Sequence, residues 1–398
     1  RKDIKTHGFN PISSIDKVDI PRELSALRVA CSFIRGKTPL SHLQVMIMSQ
    51  TRASGVPPRA VYDRTMAKTK AILTTKSSKE LYELISGPLA RSVDHFYRDL
   101  LLRVGGDQLR DHFFQGVVNV GKISLSDSGE FDTPTDRGGK LEAARLVLTA
   151  QDNREIPEID LESGLFTGRL LTSENSKHGE RLFHWACGKF KDRSKIYTHG
   201  TSMSCRISLV AELGKYRTIT VSSLQHALLL HPFSHMGLKL LEAIPSSQSG
   251  IGAANHAWNF FKRLSHKNPS ASFIFNEKIE SSVLSTDWES ATDYCDPYIA
   301  GAMLNRLMNL LGVPNWYRET VLFALTGPRR VETLDRNGVA VDWFYTSRGV
   351  LMGDPVTKVV LHLHHLIGAK IAGLLLQDVF VDNILTEDVE SSDESDED

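Results

Sequence analysis

Apolar residues recur at intervals near one helical turn through KELYELI and VDHFYRDLLLRV, which predicts helices over much of residues 60–120. Upstream, residues 1–60 alternate short apolar runs with Pro and Gly. Residues 120–175, with SLSDSGEFDTPTDRGG, read as a long exposed connection holding one short helix, KLEAARLVLTA. Downstream the period changes. RISLVAELGKYRTITV (206–221) predicts two strands around Gly214, and residues 222–264 predict helices broken at Pro232 and Pro245. ESSVLSTD (280–287) reads as a strand ending in Asp287, and 294–325 as helices broken at Gly312–Pro314. RRVETLDRNGVAVDWFY has β-prone arms on either side of Asn337–Gly338, a hairpin signal. The loop SRGVLMGDP then opens the apolar helix TKVVLHLHHLIGAKIAGLLL. Its length, its Lys358 and Lys370 and its histidines favour a buried core helix over a membrane span. Together these elements predict an α+β fold.

Composition adds three points. Hydrophobic residues make up 41% of the 398, as in a soluble globular chain. Cys31, Cys187, Cys205 and Cys295 are far apart with no CxxC pair, which argues against a zinc site or a disulfide framework and fits a reducing compartment. The N-terminus has no apolar stretch after its charges and no initiator Met, so the expectation is no signal peptide and residues missing upstream. Acidic and basic residues balance at 47 each, but the tail EDVESSDESDED holds eight of the acids and no base. The rest of the chain is therefore basic, which suits a polyanionic ligand, and residues 386–398 are expected to be disordered.

Three segments carry candidate chemistry. In STDWESATDY, Asp287 stands at a strand end, a rigid position for a hard cation such as Mg²⁺, and Asp293 follows beside a helix start. The ordinary alternative is a strand-end Asp and a helix cap. In SRGVLMGDPVTKVVLH, Gly349 and Gly353 allow close backbone approach to a ligand, Asp354 is a candidate helix cap, and Thr357 is placed to reach a ribose hydroxyl or Asp293. The alternative is a plain loop-to-helix transition. In GKYRTITV, Lys215 and Arg217 share one strand face with Tyr216 opposite, a pair able to hold a triphosphate or simply a solvated face. RLFHWACGKFKDRSK (181–195) mixes cations with Phe and Trp, which suits single-stranded RNA or a half-buried amphipathic segment equally. His362, His364 and His365 read as helix-surface or core groups rather than metal ligands.

The order of these segments resembles the palm-fold RNA-dependent RNA polymerases, and the wording is most similar to the botourmiavirus and narnavirus group of fungal and plant viruses. GKYRTITV resembles motif F, STDWESATD motif A and RGVLMGDPVTKVVLH motif B, over about residues 180–377. The resemblance implies a right-hand polymerase fold. Its N-terminal and fingers region would be 1–175, fingers with motif F 176–279, an incomplete antiparallel palm with motifs A and B 280–385, and the acidic tail 386–398. It implies RNA-directed RNA synthesis by two-metal nucleotidyl transfer in the host cytoplasm, with Mg²⁺ or Mn²⁺ as cofactor and RNA template, product and NTPs as partners. Residue by residue, Asp287 would hold the metals and Asp293 would select ribose. Lys215 and Arg217 would hold the triphosphate, and Gly349, Gly353 and Thr357 would shape the nucleotide pocket.

Two departures stand out. Leu361 occupies the place where many such polymerases have Asn, which leaves His362 as a neighbouring candidate for the ribose contact. No GDD of motif C is present. The favoured expectation is a divided polymerase, inactive alone, whose GDD comes from a second subunit. The alternatives are a truncated or endogenised fragment, and a degenerate motif C hairpin in VFVDNIL around Asp382–Asn383. A catalytically inactive RNA-binding remnant is the reading from another class. A reverse transcriptase ranks below both, because Asp293 admits a 2′-hydroxyl.

Overall fold

The computed structural model describes residues 57–106, 123, 125–197, 200–212, 215–244, 247, 290–334 and 339–390, with 376–390 as backbone only. The elements are α1 (Arg59–Thr74), α2 (Lys79–Val104), α3 (Gly139–Thr149), β1 (Ile156–Ile159), β2 (Phe166–Leu171), α4 (His178–Lys191) and α5 (Arg193–Ile196). They continue with β3 (Ser204–Glu212), β4 (Lys215–Ser222), α6 (Leu224–Glu242), α7 (Pro297–Leu310), α8 (Asn315–Thr326), β5 (Arg330–Leu334), β6 (Ala340–Tyr345) and α9 (Thr357–Glu390). The fold is α+β, helix-rich with small sheets. β1 and β2 form an antiparallel pair, and a second sheet has the order β4-β3-β5-β6. In that sheet β3 and β5 run parallel, Ser204 opposite Arg330, while β5 and β6 are antiparallel, Arg330 opposite Tyr345. The sheet is therefore mixed, and its pair inside 280–385, β5 with β6, is antiparallel.

Two compact units divide the chain: Arg1–Lys68 with Leu209–Thr218, and Thr69–Ser208 with Ile219–Asp398. Among its described residues, the first is organised around Tyr216. Its hydroxyl donates to Pro57 O over 3.0 Å, and its ring meets Tyr62 edge-on at 5.4 Å.

The second unit has a helical core. α2, α4, α6, α7, α8 and α9 contribute Phe96, Phe183, Leu229, Phe233, Leu304, Val321 and Val360, all buried. Each such side chain contributes about 1.5–3 kcal/mol through lost apolar surface. Tyr317 is buried among them with its hydroxyl donated to Leu229 O, 2.9 Å away. α6 lies so close to α9 that a Cβ on Gly237 would stand 2.5 Å from Val359 Cγ1. α9 contains a stretch, Thr357–Leu375, long and apolar enough to cross a membrane, of which 22% is buried in the core, through Val359, Val360, Leu363 and Ile367. α7 starts at a well-formed cap: the Asp296 carboxylate accepts from Tyr298 N and Ile299 N, with Pro297 in the first turn.

Three local expectations are corrected. α6 runs through Pro232 without a break. Burial of the surrounding Leu228, Leu229, Phe233 and Met236 outweighs the lost backbone hydrogen bond. Residues 156–171, expected as open connection, form the β1–β2 pair; Ile156, Ile159 and Leu171 are buried, and Ile159 N donates to His184 Nδ1 at 3.1 Å. α9 continues to Glu390, so VFVDNIL is helical rather than a hairpin, and 386–390 extend the helix rather than a disordered tail.

Candidate functional site

β4 changes character along its length. Lys215 and Arg217 are exposed, whereas Thr220 and Ser222 are buried. At the exposed end both cations pair with Glu212, Lys215 Nζ at 3.7 Å and Arg217 Nε at 3.0 Å. These pairs are solvent-exposed on the cation side and contribute little to stability. Lys215 and Arg217 fall in the first compact unit.

The buried end of β4 belongs to the second unit and meets the glycine loop. Thr220 N donates to Met352 O at 2.6 Å, and Thr220 Oγ1 donates to the same oxygen at 2.8 Å. Gly353 has φ +129°, and a Cβ there would overlap the Thr220 carbonyl oxygen. Only glycine fits that approach.

The other end of the loop meets the turn that carries Asp293. Gly349 N donates to Cys295 O and Val350 N to Thr292 O, each over 2.9 Å. Gly349 has φ +94°, and a Cβ on it would lie 2.8 Å from Leu73 Cδ2 and 3.2 Å from Asp293 O. The turn is tight. Ser290 has a positive φ of 51°, and Asp293 N and Tyr294 N both donate to Ser290 O. Asp293 is buried, and its Oδ1 accepts from Thr292 Oγ1 at 3.1 Å. Because Asp296 caps α7, Asp293 is not the helix cap that its position allowed.

Thr357 is buried at the start of α9 and donates its hydroxyl to Leu351 O at 2.6 Å. It therefore fastens the loop rather than reaching toward Asp293. Asp354 takes a different part from the capping one expected of its side chain. Its carboxylate receives Arg329 Nη1 at 2.9 Å and the Ser222 hydroxyl, with both members of the ion pair almost wholly buried. Arg329 also donates to Ser222 Oγ at 3.0 Å and Met203 O at 3.2 Å, and its Nη1 lies 2.7 Å from His226 Nε2. Burial alone raises the carboxyl pKa of Asp354, but Arg329 and His226 outweigh it and hold Asp354 below the usual carboxylate range. Burial, reinforced by the Arg329 charge, pushes His226 down to about 4, so the imidazole is neutral at pH 7. A carboxylate in such apolar surroundings needs a fixed counter-charge. That need is the only sign of Arg329 in the sequence, which lies 25 residues away with no motif linking them.

The structure thus brings Asp293, Gly349, Gly353 and Thr357 together with Thr220 and Ser222. Asp287 lies outside the described residues. Among the described residues no cluster of three or more His, Cys, Asp or Glu side chains is assembled, and Asp354 is committed to Arg329. The Mg²⁺ or Mn²⁺ expectation rests on Asp287, which the described residues do not include. His364 Nε2 stands 3.8 Å from the buried Cys295 Sγ, whose thiol burial raises to about 12, a neutral packing pair rather than a metal or nucleophilic centre. No protein-family model matches the chain, and no curated protein matches it significantly.

Proposed function

We propose that this chain forms the fingers and the first half of the palm of a viral RNA-dependent RNA polymerase acting in the host cytoplasm. The observation that supports the reading best is the junction at 349–353. There the segments that resemble motifs F, A and B, distant in sequence, share backbone hydrogen bonds: Thr220 with Met352, Thr292 with Val350 and Cys295 with Gly349. Such a junction holds a glycine-rich loop in one conformation, and preorganised backbone positions a nucleotide without reorganisation at each addition.

In this reading Asp287 binds the metal, and bound Mg²⁺ or Mn²⁺ activates the 3′-hydroxyl and stabilises the leaving pyrophosphate. Asp293, buried in its tight turn, discriminates ribose from deoxyribose. Lys215 and Arg217 neutralise the triphosphate of the NTP. Gly349 and Gly353 give the loop its close approach, and Thr357 fastens it through Leu351 O. The second metal-binding carboxylate, the GDD of motif C, is not among these 398 residues and has to be supplied to them before synthesis.

The test is incorporation of labelled ribonucleotides on a primed RNA template by the chain together with a polypeptide that carries a motif C GDD. The expected result is synthesis by the pair, none by either alone, and loss on Asp287→Asn. Full synthesis by this chain alone sinks the divided reading. RNA binding with no synthesis in any combination favours the inactive remnant.

A further inference from the structure

The outer end of the mixed sheet carries side chains that the proposed nucleotide site does not use. β6 is its edge strand, and alternation puts Val341, Trp343 and Tyr345 on one face. All three are exposed, Trp343 by 53%. Trp343 meets Tyr345 edge-on at 5.5 Å, Tyr345 meets Tyr197 at 6.0 Å, and Tyr197 meets Phe323 at 6.2 Å. The Tyr197 hydroxyl is tied to Pro328 O at 2.9 Å, which fixes the ring. Guanidinium groups close the row at both ends: Arg330 over Trp343 and Arg193 over Phe323, each 5.3 Å from the ring centre. Their acidic neighbours are Glu332 at 3.5 Å, its side chain largely covered, and the exposed Glu319 at 3.8 Å, a long surface pair that contributes little. Beyond Arg193 an open cavity of about 720 Å³ continues the surface, with Lys191 over the exposed Phe166 at 3.4 Å.

We infer that this row is a stacking platform for single-stranded RNA, separate from the nucleotide site. Trp343, Tyr345 and Tyr197 are exposed, with Phe323 half-buried against the core beside them, and a patch of exposed rings is costly to leave in water. Arginines at the ends of the row argue for an anionic occupant, and a row of rings flanked by cations suits unpaired bases on a phosphate backbone. From the run 181–195, Lys191 and Arg193 reach this surface while Phe183 and Phe190 are buried in the core, and the β5–β6 pair supplies the other side. The identity of the ligand rests on the polymerase reading above; the platform itself rests on the ring geometry.

The experiment is equilibrium binding of a short labelled oligouridylate to the full chain, beside crosslinking of 5-iodouridine RNA with mass-spectrometric identification of the attached residue. Trp343→Ala and Tyr345→Ala are each expected to weaken binding about tenfold, Trp343→Phe much less, and the crosslinks to fall on Trp343 or Tyr345. Because both side chains are exposed, the variants should keep the wild-type melting temperature; the crosslink needs no variant at all. Wild-type affinity in the double alanine variant, with crosslinks elsewhere, overturns the platform and leaves the polymerase reading standing. Absence of RNA binding by the wild-type chain overturns both. Unchanged RNA affinity with loss of self-association in sedimentation makes the face a protein interface and overturns the proposal.

Discussion

Replacing Arg329 by Met tests whether the buried ion pair holds the glycine loop. The Arg329 side chain is 3% exposed and that of Asp354 2% exposed, so solvent cannot stand in for the lost guanidinium. Removal deprives the Asp354 carboxylate of the one cation within hydrogen-bonding reach among the described residues, leaving the Ser222 hydroxyl and a neutral His226 beside it. Met203 O keeps Arg330 N as a donor, so the unsatisfied group is the carboxylate. A buried charge stripped of its partner costs about 3–5 kcal/mol, and that is the predicted loss in urea unfolding at pH 7. Adding Asp354→Asn removes the charge and should recover about 2 kcal/mol. Relative to the wild type at the same pH, the variant should also recover on acidification. Without Arg329 the burial of Asp354 raises its pKa, so the folded state takes up a proton as the pH falls from 7 toward 5. A loss below about 1 kcal/mol for Arg329→Met, or a double variant no more stable than the single one, would refute the reasoning.

Gly353→Ala should lose about 2–4 kcal/mol or shift the loop, because its Cβ meets the Thr220 carbonyl at a positive φ; urea midpoints and amide exchange at Thr220 report it. The wild-type stability should also fall with acid through His226 and His231. Both are pushed down to about 4 when folded, so their contribution is whole above about pH 6.5 and is lost as the pH falls from there toward 4. The slope should approach roughly 1.4 kcal/mol per pH unit for each, and a flat urea midpoint between pH 7 and 4.5 would contradict it.

Local pattern was enough to read most elements. The helix that holds Tyr82 and Phe96, the strands flanking Gly214 and the hairpin arms at 330–345 follow from side-chain period and turn residues alone. Context overrode pattern at Pro232, where a helix buried on most of its surface tolerates the ring, and at VFVDNIL, where α9 continues. At the site, Gly349 and Gly353 were legible because a glycine cluster before a helix announces close backbone contact. The partners of that contact were not. Thr220, Ser222 and Arg329 act through tertiary hydrogen bonds to residues 25 to 132 positions away, and no spacing rule connects them. Thr357 was legible as a site residue, but its bond to Leu351 O depends on the loop's path.

Calorimetric titration of the chain with a ribonucleoside triphosphate and Mg²⁺ tests the nucleotide site most directly. Metal-dependent binding is predicted, abolished by Asp287→Asn, weakened by Lys215→Ala and Arg217→Ala, and with its preference for ribose over deoxyribose erased by Asp293→Ala. Binding that persists unchanged in Asp287→Asn, or that ignores both metal and sugar in the wild-type chain, would contradict the account.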